Sequence, residues 1–113
     1  MAAPRPDSPE QMAPRLRLIR IAYGRLQGRV DPEIGQAEFA RLCGISAPTW
    51  NNAETGDNRL GIDNAMAVSR RTGATLDYIF FGERRGLPLD LALQIEKLAD
   101  PAAKSAISPG SKS

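Results

Sequence analysis

The chain has 113 residues, with 15 basic against 13 acidic side chains, a formal charge of +2, one cysteine and no histidine. That length suits a single domain with a modest core, and one cysteine excludes an internal disulfide. Without histidine the commonest general base and metal ligand is missing, and no cysteine cluster, phosphate-cradling glycine loop or group of acids replaces it. An enzyme is therefore not expected, nor is a cofactor or a metal. The chain has no apolar leader and no apolar run long enough to cross a bilayer, so the expectation is a cytoplasmic protein with no membrane partner.

Taken in order, residues 1–13 are polar and proline-rich and read as a disordered N-terminal arm. Pro14 suits a first helical turn, and Leu16, Ile19, Ala22, Tyr23 and Leu26 then recur at three- and four-residue steps. This predicts an amphipathic helix ending near Gly28. Five arginines, Arg15, Arg17, Arg20, Arg25 and Arg29, crowd into that helix and its exit, and all three lysines lie in the last seventeen residues. Asp31-Pro32 marks a loop up to Gly35.

Residues 36–56 read as two short helices broken by a tight turn. Phe39, Ala40, Cys43, Ile45, Trp50 and Ala53 form one inward face, Gly44 supplies a left-handed stop, and Ser46 is a good N-cap for the next helix. Trp50 belongs to the core by its spacing, and Cys43 is expected to be a buried structural thiol. At 3.6 residues per turn, Ala47, Pro48, Asn51, Asn52 and Thr55 share the outward face. That face is small, uncharged and rich in amides, whereas a helix built only for solubility carries Lys, Glu and Arg there.

Gly56, Asp57 and Asn58 mark a turn. Ile62, Ala65, Met66, Val68 and Ser69 predict a fourth helix stopped at Gly73. Thr75 caps a fifth, with Leu76, Ile79 and Phe80 inward, and Gly82 closes it. Pro88 opens a sixth, in which Leu89, Leu91, Ala92, Ile95 and Leu98 repeat at helical spacing. Residues 99–113 read as a disordered tail. No stretch alternates with period two, so the fold class is all-α.

Gln36, Ala40, Gly44, Ile45, Ser46, Thr49, Glu54, Gly56, Gly73 and Thr75-Leu76-Asp77 together resemble the Cro/CI-type helix-turn-helix family, or XRE family, of bacterial and phage repressors. The likeness runs without a gap over residues 36–80 and, with one insertion, back to residue 16. It implies a five-helix repressor-like DNA-binding domain over residues 14–86, with residues 87–98 an additional C-terminal helix. It also implies that Gln36 anchors a DNA phosphate, that Ala47, Pro48 and Asn52 reach base edges, and that Thr55 and Asn58 touch the backbone. Arg20 is implied to pair with Glu54, tying the first helix to the recognition helix. Asn51 joins the DNA-binding set from its place on the exposed face, and Ser46 with the helix N-terminus it caps.

The sequence departs from the family in two places. Eleven residues separate Gly24 from Gln36 where the family has a couple, and the extra loop either lengthens the first helix or reaches for the DNA backbone. Pro48 stands where many relatives carry a hydrogen-bonding side chain, which shifts polar readout toward the asparagines. The function expected is a sequence-specific regulator of transcription, a repressor that binds double-stranded DNA as a homodimer on a palindromic operator through residues 46–55. Residues 87–98 supply the surplus apolar surface for dimerisation. The alternative is an antitoxin-type module that autoregulates its operon while residues 87–98 hold a protein partner.

Overall fold

A computed structural model describes residues 5–99, and residues 1–4 of the expected disordered arm and the expected disordered tail beyond residue 99 lie outside them. Six α-helices and no strands occupy that span: α1 Pro9–Leu26, α2 Gln36–Cys43, α3 Ala47–Glu54, α4 Ile62–Thr72, α5 Leu76–Phe81 and α6 Leu89–Ala99. The fold is all-α. None of these helices is long and apolar enough to cross a membrane.

Helix α1 is the element around which the others are arranged, packing against α3, α5 and α6. It begins five residues earlier than the Pro14 start, so residues 9–13 are helical and not a disordered arm. Ser8 is the N-cap, its Oγ accepting from the Gln11 N–H at 3.2 Å, and Pro9 takes the first helical position with Glu10 behind it. Met12 and Ala13 extend the buried stripe that continues through Leu16 and Ile19. Pro14 is thus an interior proline, which costs a helix about 3 kcal/mol. A buried Met contributes about 1.5–3 kcal/mol and a serine cap about 1 kcal/mol, enough to offset it. The segment before α1 is tied down as well: Arg59 pairs with Asp7 at 2.8 Å and lies over the Phe80 ring, and an Arg15 Nη2–H donates to the Pro6 and Phe80 carbonyls.

Helices α2 and α3 meet through a turn in which Gly44 adopts φ 76°, a left-handed conformation that glycine enters without a Cβ clash. The Ile45 N–H then reaches the Ala40 carbonyl at 2.9 Å and turns the chain into α3. Phe39, Ala40, Cys43, Ile45, Trp50 and Ala53 are all buried, with the Phe39 and Trp50 ring centroids 4.9 Å apart. Helix α4 packs on α2 and α5.

Several of the apolar residues that mark the helical periodicity are exposed. Ile62 and Met66, one turn apart on α4, face away from the Ala65–Val68 stripe, and Leu26 lies at the fraying end of α1. On α6 the division is sharper: Leu91 and Ile95 are fully buried in the same core as α1, and Leu89 and Leu93 stand out in solvent. Leu91 and Ile95 are therefore not surplus surface. They cover a face of α1 that needs covering.

Because Met12 is 1% exposed, Met12→Ala should lower the unfolding free energy by about 2–5 kcal/mol, the usual cost of deleting a buried large side chain. Urea denaturation followed by circular dichroism measures it. An unchanged midpoint would return residues 9–13 to the status of an unstructured arm.

Candidate nucleic-acid interface

The exposed face of α3 is held in place from behind by one buried carboxylate. Glu54, at the end of α3, has a side chain 3% exposed, and Arg20 of α1 comes to it 10% exposed. Glu54 Oε1 accepts from Arg20 Nη2 at 2.6 Å, and Oε2 accepts from Arg20 Nε at 2.9 Å and from the Trp50 indole N–H at 2.7 Å. Arg20 Nη1 donates in turn to the Ile34 carbonyl at 2.6 Å. A fork of this kind fixes direction as well as distance, because guanidinium and carboxylate planes match only in one orientation. The energetic asymmetry is large: breaking a buried pair by deleting one partner costs about 3–5 kcal/mol.

The N-terminal end of α3 is set by Ser46, whose Oγ accepts from the Thr49 N–H at 3.3 Å and donates to Thr49 Oγ1 at 2.7 Å. That hydroxyl is held within the chain by both bonds, while Ser46 itself stays exposed at the start of α3. Pro48 lies in the first turn, where an N–H would find no helical partner, and its ring costs the helix nothing. At the other end the Thr55 hydroxyl donates to the Asn52 carbonyl and to Asp57 Oδ2, both at 3.2 Å. The same carbonyl accepts from the Asp57 and Asn58 N–H groups at 2.9 and 3.2 Å. Thr55 is thereby tied to the closing turn, and both Thr55 and Asn58 stay exposed.

The remaining residues singled out from the sequence come together. Gln36, Ala47, Pro48, Asn51 and Asn52, joined by Ala37, line one shallow groove of about 380 Å³ between the start of α2 and the outer face of α3. Ala47, Pro48 and Asn51 are exposed, and Gln36 and Asn52 half-buried. Gly35 caps α2 without a side chain, so the first-turn N–H groups carry no side-chain cap at the positive end of the helix dipole, and Gln36 and Ala37 of that turn line the groove. The groove thus combines the uncapped first turn of α2 at one wall with two asparagine amides at the other.

Most of the nearby charge is spent internally. Arg29 forms a two-pronged pair with Glu38 of α2, both bonds 2.8 Å, and this bonding holds the Glu38 carboxyl below the ordinary carboxylate range and raises Arg29. Arg71 donates to the Leu42 carbonyl at 2.9 Å, covering the C-terminal end of α2. Of the five clustered arginines, Arg15, Arg20 and Arg29 are engaged within the chain, Arg25 is half-buried, and Arg17 points to solvent. Cys43 lies behind the interface, its thiol pushed up to about 11 chiefly by burial, and at neutral pH it is a protonated space-filler.

Three contacts were not foreseen from the sequence: Trp50 to Glu54, Arg20 to Ile34, and Arg29 to Glu38. The first had a legible signal, since an indole donor four residues before a carboxylate shares its helical face. The other two depend on how the 27–35 loop folds back.

Trp50→Phe should retain most of the ring packing and strip one donor from the buried carboxylate. The expected loss is about 1–3 kcal/mol of stability by urea titration, the cost of an unmade buried hydrogen bond. Parent-like stability would show that the indole N–H does not help hold Glu54.

Comparison with protein-family models, with curated proteins and with solved structures finds no match to this chain.

Proposed function

We propose that the chain is a sequence-specific DNA-binding regulator of transcription of the Cro/CI helix-turn-helix type, a repressor in which α3 enters the major groove. The observation that supports this best is the shared groove, with an uncharged amide-bearing helix face beside an open helix N-terminus. A B-form major groove admits a helix, and asparagine pairs in two-pronged fashion with adenine N6 and N7. In this reading Asn52 and Asn51 contact base edges and Ala47 and Pro48 meet thymine methyl groups. Gln36 and the α2 N–H groups hold a phosphate, with Thr55 and Asn58 facing the flanking backbone. No step of catalysis is involved.

Base contacts specify and phosphate contacts position, and the two should separate experimentally. With few arginines left free, about two phosphates neutralised per copy and about four by a dimer, the log–log dependence of affinity on salt should have a slope of about −4. Asn52→Ala should change the preferred sequence, costing about 1–3 kcal/mol at one base pair, and Gln36→Ala should weaken all duplexes alike. Fluorescence anisotropy over a panel of single-base variants measures both. No duplex binding at low salt ends the DNA reading, and uniform losses in both mutants end the assignment of Asn52.

A regulator of this size needs two copies, because one recognition helix touches too few base pairs to define a site. With Leu91 and Ile95 consumed by the core, the α6 contribution to a homodimer reduces to Leu89 and Leu93, one turn apart and exposed. Leu89→Glu combined with Leu93→Glu should preserve the fold and abolish two-fold binding to DNA, as read by sedimentation of the complex. If the pair of changes leaves a dimer on DNA, the contact lies elsewhere, with Phe81 and Ile62 the next exposed apolar set.

A further inference from the structure

We propose that the 27–35 loop is a rigid strut that sets the position of the α2 N-terminus against the α3 face, with Gly24 as its seat and Arg20 as its clamp. The inference deepens the DNA-binding reading, on which its functional consequence rests; its geometry stands on separate observations.

The loop neither extends α1 nor carries a free basic side chain outward. Helix α1 stops at Leu26, the Arg29 N–H returns to the Gly24 carbonyl at 2.8 Å, and Val30 and Glu33 bridge each other to close the excursion. Asp31 and Glu33, exposed at its tip, would repel a phosphate, and Arg29 is paired with Glu38. What the loop delivers is Ile34. Its side chain is 2% exposed and sits so close to α1 that a Cβ on Gly24 would lie 2.5 Å from Ile34 Cγ2 and 3.1 Å from Ile34 Cβ. No side chain fits there, so a residue other than glycine must push the loop away.

The Ile34 carbonyl is fixed at the same time by Arg20 Nη1, and the other guanidinium nitrogens of Arg20 hold Glu54 in α3. One planar group therefore joins the residue two positions before Gln36 to the last residue of α3. The Arg29–Glu38 pair ties the loop to the first turn of α2 a second time. Together these contacts determine how far the α2 N–H groups stand from Asn51 and Asn52 across their common groove. Gly24 and Ile34 are positioning residues: neither lines the groove, and both act through where Gln36 ends up.

The test compares Gly24→Ala with Gly24→Ala/Ile34→Ala, the second change removing the methyl that the first would strike. Alanine is the better helix former, so α1 itself is not weakened. In the free protein the side-chain amide NMR resonances of Gln36, Asn51 and Asn52 should shift in the single variant and return toward the parent in the double one. Should Gly24→Ala fail to fold, Ile34→Ala alone carries the test, because emptying the seat must move the same resonances. Resonances that stay at parent positions in the folded variants overturn the proposal.

On a mixed-sequence duplex, Gly24→Ala should bind about tenfold more weakly, the scale of one misplaced charge-assisted hydrogen bond, and the double variant should recover. The ranking of base substitutions should not change. Parent-like affinity in a folded Gly24→Ala overturns the functional consequence. If the parent binds no duplex while the resonances move and return, the strut stands and the DNA reading falls.

Discussion

A carboxylate buried to 3% exposure has to be met by donors, and Glu54 obtains them from three N–H groups on two sides. An isolated charge in that place would be expelled or neutralised, so the chain that keeps it must bring Arg20 and Trp50 to it together. This requirement places α1 across the back of α3 and turns the indole N–H toward the end of the same helix. It also leaves Arg20 with one nitrogen free to bind the Ile34 carbonyl. The geometry of the outer face follows from the inner one. With the end of α3 anchored by Glu54 and its start capped by Ser46, the helix has little freedom to roll, and the Asn51–Asn52 side faces outward by default.

The charge economy of the surface has a functional consequence. A net charge of +2, with Arg29, Arg20 and Arg71 tied to Glu38, Glu54 and the Leu42 carbonyl, gives a weak general attraction for a polyanion. Affinity in the proposed complex must then come from a few directed donors, the α2 N–H groups, Gln36 and the asparagine amides. Such a surface favours discrimination between sequences over tight non-specific binding.

How much of this was legible in the chain depended on how local its cause was. The α2–α3 unit could be read because its determinants are local: a glycine at the left-handed position, a serine cap, and apolar residues in phase across both helices. The start of α1 is obscured by Pro14, which mimics a first-turn proline, while the true signal, Ser8-Pro9-Glu10, lies in a stretch whose proline content reads as disordered. The α6 stripe was visible, but a stripe does not say what covers it, and Leu91 and Ile95 turned out to face α1. The loop was opaque for the same reason. Its conformation follows from a missing Cβ at Gly24 and a free guanidinium nitrogen on Arg20, contacts that exist only after α1 and α3 have packed.

The central claim is that the groove shared by α2 and α3 reads a base sequence. The most direct measurement is selection of bound duplexes from a random pool by the full chain, followed by hydroxyl-radical footprinting of the recovered sequence. The account predicts a two-fold related consensus with adenines at fixed positions in each half, and backbone protection on one face of the duplex, repeating at about one helical turn. A recovered pool indistinguishable from the starting one, or enrichment without protection, would contradict it.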